Sequence, residues 1–255
     1  MIHKEATDGK EFVKSSSYEF TKRLIDILFG LFLLTVFAIP MLCIAVAIRL
    51  TDKGTILYKQ TRIGRYGKEF YVFKFRTMYS DADKQGPLIT SSDDNRITPI
   101  GKFLRDNKLD ELPQFINVVK GDMSLVGPRP QVPRFVEHYP QELKDLVLSV
   151  RPGVTGPTQL AFRNEEEMLE GKVDREGYYI RELLPSKCKM DAQYVLTRSG
   201  RSDGRAVYDT MAEVFGKLPK KLLRRKLKIE TEAVVHVQNT IPDVNEDKDV
   251  RIFTS

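Results

Sequence analysis

The sequence is poor in the residues that build disulfide frameworks and transition-metal sites. It has two cysteines and three histidines among 255 residues. Cys43 lies inside an apolar run and Cys188 lies far along the chain, so we expect neither a disulfide framework nor a thiolate metal site. The histidines His3, His138 and His236 are scattered without the spacing of metal ligands. We therefore expect no transition-metal centre and a soluble part that resides in the cytoplasm.

Charged residues are absent from Ile27 to Ile48, a run longer than the roughly 18 residues expected of a membrane helix. The run starts too late and is too long for the apolar part of a signal peptide, and no A-x-A-like cleavage site follows it. Pro40 interrupts the run and predicts a kink or break. At ~1.5 Å per residue, the arm before Pro40 would be about 20 Å long, which is shorter than a bilayer core of roughly 30 Å.

Basic residues flank this run on both sides, with Lys14, Lys22 and Arg23 before it and Arg49, Lys53, Lys59, Arg62 and Arg65 after it. A spanning helix normally shows a positive bias on one side, whereas a helical hairpin that enters and leaves through one leaflet satisfies both flanks. We predict a re-entrant helix at 18–52, preceded by a tail at 1–17. An ordinary single-pass anchor is the alternative.

Residues 55–77 have the pattern of a β-hairpin. On the second strand, period two places Lys74 and Arg76 on one face, where they can meet an anion. The opposite face is aromatic and is expected to pack, and it consists of Tyr71, Phe73 and Phe75. The alternative is a half-solvated amphipathic strand.

A short amphipathic helix is predicted from Leu112, because apolar residues recur at i, i+3, i+4 and i+7 and Gly121 follows as a cap. Asp110 is expected to be its N-cap, and Pro113 is tolerated in a first turn.

Two prolines stiffen the loop 127–130 and restrict the arginine between them. Further helices are predicted at 135–150 and 191–215, and the polar stretch 80–96 is expected to be a mobile loop that acts as a lid.

The C-terminal part consists of a basic segment followed by a polar tail. Basic residues alternate with leucines at 217–229, a pattern suited to an anionic membrane surface, although a solvated basic helix would look the same. Residues 230–255 contain few large apolar side chains and are expected to be disordered. The net charge of +6 indicates an anionic partner. We expect lipid or phosphorylated substrates rather than nucleic acid, since no nucleic-acid-binding motif accompanies the charge.

An acidic pair, Asp110 and Glu111, stands among separated basic elements, which are Lys74 with Arg76, Arg105, and Arg129. Guanidinium groups and helix N-termini both favour phosphate, and an ionised carboxylate is a competent nucleophile toward phosphorus when cations neutralise the phosphate. The dipeptide alone would be interpreted as a helix cap. A membrane-anchored scaffold that binds acidic lipid would explain the charge and the apolar run, but not an acidic pair among arginines.

The stretch from Leu109 to Pro130 reads LDELPQFINVVKGDMSLVGPRP and resembles the signature of the bacterial monotopic phosphoglycosyl transferases. The similarity extends to Lys22-Arg23 with Asp26, to 73–78 (FKFRTM) and to 151–156 (RPGVTG). It covers roughly residues 18 to 215. This resemblance implies an α+β monotopic protein of the bacterial inner membrane, with a Pro40-broken re-entrant helix and a mainly helical catalytic domain at 53–216 whose active site faces the cytoplasm.

The same resemblance implies a two-step reaction. Asp110 would attack the β-phosphate of a UDP-sugar and release UMP, and polyprenyl (undecaprenyl) phosphate would then take the sugar phosphate from the covalent aspartyl intermediate. Mg²⁺ would be required, with Asp110 as its ligand, and Glu111 would orient groups or deprotonate. This would be the first membrane step in the synthesis of a surface glycan.

By position, Lys74, Arg105, Arg129 and Arg163 match basic residues of the family's site, and Asp191 and Asp209 match acidic ones. Two departures are evident: Ile39, not serine, precedes Pro40, and 156–159 reads GPTQ where many members read GWAQ, followed by RNEEE at 163–167. The second departure suggests an altered sugar pocket. The sequence leaves open which sugar is transferred, which glycan is made and whether the chain forms a homodimer.

Overall fold

A computed structural model of the chain describes residues 16–80, 82, 94–163, 165–214 and 216. The α-helices of this part are α1 (Ser16–Val36), α2 (Ala38–Thr51), α3 (Pro99–Asp106), α4 (Gln114–Lys120), α5 (Pro133–Val136), α6 (Gln141–Leu148), α7 (Pro157–Ala161), α8 (Glu165–Leu169), α9 (Arg175–Tyr178), α10 (Leu184–Thr197) and α11 (Gly200–Val214). The strands are β1 (Leu57–Ile63), β2 (Glu69–Phe75), β3 (Ser124–Val126) and β4 (Gly153–Thr155). This mixture of helices and small sheets confirms the α+β class.

Several predicted segments lie outside the described residues. They are most of the tail at 1–17, most of the lid at 80–96, the basic segment at 217–229 and the tail at 230–255. The two ends of the predicted lid lie together, because Met78 pairs with Ile97 and the Tyr79 amide donates to the Arg96 carbonyl at 3.0 Å.

Helices α1 and α2 form a bent pair over the apolar run. No described helix alone is long and apolar enough to cross a membrane. Together, α1 and α2 have the length and composition of a membrane segment, and they are bent by 59° relative to each other. The break falls at Phe37, so the prediction of a break at Pro40 was wrong by three residues, and Pro40 lies in the first turn of α2. The proline ring clashes with the carbonyl four residues earlier, at Val36, and a first-turn position needs no amide hydrogen. The chain therefore bends one turn before the proline.

Polar contacts attach α1 to the rest of the chain. Arg23 donates from Nη1 to the Val118 carbonyl at 2.6 Å and from Nη2 to the Val119 carbonyl at 2.8 Å, so it caps the end of α4. Asp26 accepts from the Leu125 amide at 2.9 Å. Large apolar side chains on the other sides of α1 and α2 are exposed, among them Phe20, Leu24, Leu28, Phe32, Ile39, Leu42 and Leu50. The pair thus combines a polar attachment with an apolar outer surface.

Strands β1 and β2 confirm the predicted hairpin, with Leu57 opposite Phe75 in an antiparallel register. Val72 is buried in the larger of two apolar clusters, and Phe75 is buried in the smaller one, on the opposite face of the strand. Both faces of the hairpin are therefore covered in part. The prediction that the aromatic face packs was wrong for Tyr71, which is 59% exposed. At its end of the strand the larger cluster contacts the opposite face, through Phe70 and Val72, and the smaller cluster does not include Tyr71.

The larger cluster joins the parallel pair β3 and β4 to α5, α6 and α10. The smaller cluster joins Ile48 of α2 to Phe75, Leu104 and Leu112. The helices predicted at 135–150 and 191–215 are present as α5 with α6 and as α10 with α11. The hairpin, α3 and α4 therefore lie between the two clusters, and polar side chains of the hairpin, of α3 and of the turn at Leu109–Glu111 line a cavity there.

Candidate active site

Glu111 is the centre of a small ionic network. Its Oε1 atom lies 2.7 Å from Lys74 Nζ and 3.1 Å from Arg129 Nη2. Lys74 comes from β2, Arg129 from the loop after β3, and Glu111 from a 3₁₀ turn at Leu109–Glu111. One carboxylate thus fixes two cations that are far apart in the sequence.

The neighbouring Asp110 has a different environment. Its side chain is buried, and no hydrogen bond or ion pair within the described part of the chain engages its carboxylate. The expectation that Asp110 is the N-cap of the next helix was wrong. Of the amides it would cap, that of Leu112 already donates to the Leu109 carbonyl at 3.3 Å, and Pro113 has none, so α4 begins only at Gln114. The carboxylate is left available for another partner.

Helix α3 positions Arg105 near the acidic pair. Thr98 caps α3 by accepting from the Gly101 amide at 2.9 Å, and Pro99 occupies the first turn. Arg105 Nε donates to Thr77 Oγ1 at 2.9 Å. Lys108 then takes a left-handed conformation with φ 55°, unusual for a residue other than glycine, and this sharp reversal brings Asp110 back toward Arg105.

Asn117 of α4 ties the acidic turn to β2. This fully buried side chain accepts from the Phe73 amide at 3.0 Å and donates to the Tyr71 carbonyl at 2.7 Å. It therefore satisfies backbone groups of β2 that no strand in the described part of the chain pairs, and it fixes the position of Lys74 against Glu111. Sequence reasoning missed this role, because Asn117 lies opposite the apolar stripe of the predicted helix, where a polar side chain is expected to face solvent.

Burial and the basic side chains shift the two carboxylates in opposite directions. Burial raises the pKa of Asp110, the Glu111 charge adds to the rise, and Lys74 and Arg105 act against it. Burial also opposes ionisation of Glu111, but Lys74 and Arg129 outweigh it and hold the pKa of Glu111 well below its ordinary value. Glu111 in turn raises the pKa of Arg129. The pair thus contains one firmly ionised anchor and one carboxylate that is easier to protonate.

These groups line a cavity of about 590 Å³. Six of the predicted site residues lie on its wall, namely Lys74, Arg76, Arg105, Asp110, Glu111 and Arg129. Arg76 also has a structural task, because its Nη2 donates to the carbonyl of Asp52 at 2.9 Å and links β2 to the end of α2. The cavity also has walls that sequence reasoning did not identify, including Lys108, Gln131, Glu165 and Lys187.

Three other predicted residues do not line the cavity. Arg163 pairs with Glu213 at 2.5 Å. Asp209 lies 4.0 Å from Arg205 of the same helix. Asp191 is buried, accepts a hydrogen bond from Thr158, and has a pKa that burial raises to about 7.

Asp110 is the natural ligand if Mg²⁺ enters this cavity. Among the described residues there is no group of three or more His, Cys, Asp or Glu side chains that could hold a metal ion. However, Mg²⁺ usually keeps several waters and binds through one or two carboxylates together with substrate phosphates. Glu111 is occupied by two cations, whereas Asp110 is available. The residues therefore fit Mg²⁺ held by Asp110 and a phosphorylated substrate, not by a cage of protein ligands.

Comparison with known proteins finds one family that the chain matches over most of its length. The family model described as "Bacterial sugar transferase" matches residues 17–217. This range includes every residue of the ionic network and of the cavity wall described above.

Curated relatives agree with the family match. A UDP-N-acetylgalactosamine-undecaprenyl-phosphate N-acetylgalactosaminephosphotransferase from Aeromonas hydrophila is 36% identical over 171 residues, which are 66% of this chain and 40% of the relative. A UDP-glucose:undecaprenyl-phosphate glucose-1-phosphate transferase from Escherichia coli K12 is 40% identical over 167 residues, 63% of this chain and 36% of the relative. One of the same name from Caulobacter vibrioides is 33% identical over 197 residues, 76% of this chain and 69% of the relative. This chain thus spans less than half of the first two relatives.

Proposed function

The chain belongs to the bacterial sugar transferase family, and on that premise we propose that it transfers a sugar 1-phosphate from a UDP-sugar to undecaprenyl phosphate. The names of its relatives describe this donor and this acceptor. The observation that carries the proposal is the contrast within the acidic pair: Asp110 is available at the wall of a cationic cavity, and Glu111 anchors the cations. The product, a polyprenyl diphosphate sugar, would begin a surface glycan.

In the first step, an Asp110 oxygen attacks the β-phosphorus of the donor. A phosphorus–oxygen bond forms to the carboxylate, and the bond to the α-phosphate breaks, so UMP leaves with the electron pair. In the second step, an oxygen of the acceptor phosphate attacks the same phosphorus, and Asp110 leaves as a carboxylate. Lys74, Arg105 and Arg129 hold the anionic oxygens during both steps. Mg²⁺, held by Asp110 and the phosphates, would add further charge neutralisation.

Glu111 acts in this proposal as a positioning residue. Its low pKa makes it a weak base, because a base works best when its pKa lies near the operating pH. Its contacts with Lys74 and Arg129 place these two cations on the same phosphate group. Of the two roles that the resemblance implied, orientation is therefore the one that we propose.

We also propose that α1 and α2 form a re-entrant helix in the bacterial inner membrane, with the cavity facing the cytoplasm. The 59° bend, the exposed apolar surface and the basic flanks that favour anionic lipid support this arrangement. Cysteines introduced at Lys14 and Lys53 test it in intact cells with a membrane-impermeant reagent. Labelling from the same side of the membrane is expected, and labelling from opposite sides would show a spanning helix.

The function itself is tested by UMP release from a panel of UDP-sugars in membranes supplied with undecaprenyl phosphate. Asp110→Asn should abolish UMP release and leave membrane association unchanged. Asp106→Asn, on the exposed side of α3, is the matched control and should keep wild-type turnover. Retained turnover in Asp110→Asn would overturn the assignment, and a wild-type protein that binds anionic vesicles but releases no UMP would indicate a lipid-binding scaffold.

A further inference from the structure

The cavity extends well beyond the phosphate-binding cations. One part of its wall, which we call the distal wall, consists of Gln131, Glu165, Tyr179 and Lys187. These residues come from a loop, from α8, from a π-helical turn (Tyr179–Leu183) and from α10. The two-step reaction at Asp110 gives this wall no task, although its polar groups are unusually well buried.

The distal wall has a defined polar arrangement. Lys187, with a side chain only 4% exposed, donates from Nζ to Glu165 and to the Tyr179 hydroxyl at 3.2 Å, so one of its three donors remains. Gln131 is 6% exposed, and no hydrogen bond within the described part of the chain engages its side-chain amide. Buried polar groups are nearly always hydrogen-bonded, so these groups are suited to a ligand that offers both donors and acceptors.

The distal wall lies at the end of the hairpin that is remote from α2. Strand β1 begins beside the cluster that contains Ile48 of α2, and it ends near Arg62, whose Nη1 donates to the Pro130 carbonyl at 2.9 Å. The cavity wall follows β1 from Tyr58 to Arg62, so at ~3.3 Å per residue the strand extends this wall by roughly 13 Å. Gln131 directly follows Pro130, and the Gln131 carbonyl accepts from the Ile63 amide at 2.9 Å.

The stereochemistry of the proposed reaction decides what this remote end can hold. In-line displacement places the nucleophile and the leaving group on opposite sides of phosphorus. In the second step, the acceptor phosphate must therefore enter where UMP left. The acceptor carries a membrane-bound lipid, so this shared position lies toward α2. The sugar, which stays on the phosphorus throughout, is directed to a region that neither UMP nor the acceptor uses.

We propose that the distal wall receives the sugar ring of the donor and that Gln131, Glu165 and Lys187 are specificity-determining residues. This inference rests on the proposed function. Glu165 and Lys187 neutralise each other, and Arg62 is engaged by Gln60 and the Pro130 carbonyl. The wall thus offers hydrogen bonds rather than a counter-charge, which suits a neutral hexose or N-acetylhexosamine more than a uronic acid.

The test compares sugar preference with nucleotide binding in the full-length protein. Values of kcat/KM are measured for UDP-glucose, UDP-galactose and their N-acetylhexosamine counterparts, together with inhibition by UMP. Gln131→Leu and Glu165→Gln should change the ratio between the best and the second sugar by about 10-fold or more, because a polar pocket discriminates strongly by the hydrogen bonds it makes. Inhibition by UMP should stay within about twofold of the wild-type value, since UMP binds elsewhere.

Matched controls and a second variant keep the outcome clear. Gln193→Leu and Glu142→Gln make the same changes away from the cavity and should alter no ratio. Gln131→Glu keeps the size of the side chain if Gln131→Leu fails to fold, and it should also change the ratio. Weaker UMP inhibition with an unchanged sugar ratio would place uridine on this wall. An equal loss of kcat/KM for all sugars would mean that the wall only supports Arg129. Either result overturns the inference. A wild-type protein that releases no UMP from any donor would instead defeat the proposed function, and the inference with it.

Discussion

Lys74 Nζ lies 2.7 Å from Glu111 Oε1, while the adjacent carboxylate of Asp110 faces the cavity without such a partner among the described residues. The pKa of Asp110 is therefore raised and that of Glu111 is lowered, although the two residues are adjacent. Sites that use two carboxylates commonly separate their roles through their environments in this way. The proposed reaction depends on this separation, because only an ionised Asp110 can attack phosphorus.

The first prediction concerns the pH dependence of UMP release in Glu111→Gln. The active form of Asp110 is deprotonated, so the rate rises as pH increases through its pKa. The Glu111 charge raises that pKa, and its removal should move the acidic limb of the kcat profile to lower pH. The plateau should fall by about 10²-fold, because Lys74 and Arg129 lose their common anchor. Glu137→Gln, on an exposed side chain, is the control, and an acidic limb that stays in place would contradict the coupling.

The second prediction concerns the loop that carries Arg129. A Cβ atom at Gly127 would lie 2.5 Å from the Arg151 carbonyl oxygen and 2.8 Å from the Gly153 amide nitrogen. Gly127→Ala should therefore separate β3 from β4, displace Arg129 and lower the free energy of unfolding by about 1–3 kcal/mol. Thermal unfolding and UMP release measure the two effects.

The matched control for this substitution is Gly204→Ala in α11, where an added Cβ meets nothing within 4 Å. Replacing a glycine inside a helix with alanine should raise the free energy of unfolding by about 0.5–1 kcal/mol and leave activity unchanged. If both variants behaved alike, the close approach of the two strands would have no role in holding Arg129.

The third prediction concerns the buried Asp191. Burial raises its folded-state pKa to about 7, far above the unfolded value, so the folded protein holds a proton there that the unfolded chain loses near pH 4. Stability should therefore fall as pH rises from about 4 to 7, by about 4 kcal/mol at most. Asp191→Asn removes this cost while its amide oxygen still accepts from Thr158.

Denaturant unfolding in detergent tests this prediction at pH 5 and pH 8. Asp191→Asn should stabilise the protein more at pH 8 than at pH 5, relative to wild type. Asp145→Asn on the exposed side of α6 should show no such difference. An equal effect of Asp191→Asn at both pH values would mean that Asp191 remains ionised in the folded protein throughout this range.

The structural features that depend on nearby residues could be predicted from the sequence. The hairpin follows from alternation within a short stretch, and the C-terminal cap at Gly121 follows from the helix pattern; Gly121 adopts a φ of 97°. Pattern alone misplaced the break in the apolar run, because a proline bends the turn before it. It also misassigned Asp110 as a cap, because the amides that Asp110 would bind are used or absent.

The segment that suggested an altered sugar pocket contains Glu165, but the distal wall as a whole could not be predicted, because only the tertiary fold brings α8, the π-helical turn and α10 to Gln131. Lys187 is one of many basic residues in the sequence, and nothing local distinguishes it from Lys189. Arg163, in contrast, was predicted as a site residue from its position in the family pattern, but it pairs with Glu213 and does not line the cavity.

The most direct test of the central claim is the mass of the protein after incubation with a UDP-sugar in the absence of acceptor. We expect one sugar phosphate to be added to the peptide that contains Asp110, with one UMP released per chain, and we expect undecaprenyl phosphate to remove the adduct. Asp110→Asn should show neither adduct nor release. UMP release that begins only when the acceptor is present, or an adduct on another residue, would contradict the account.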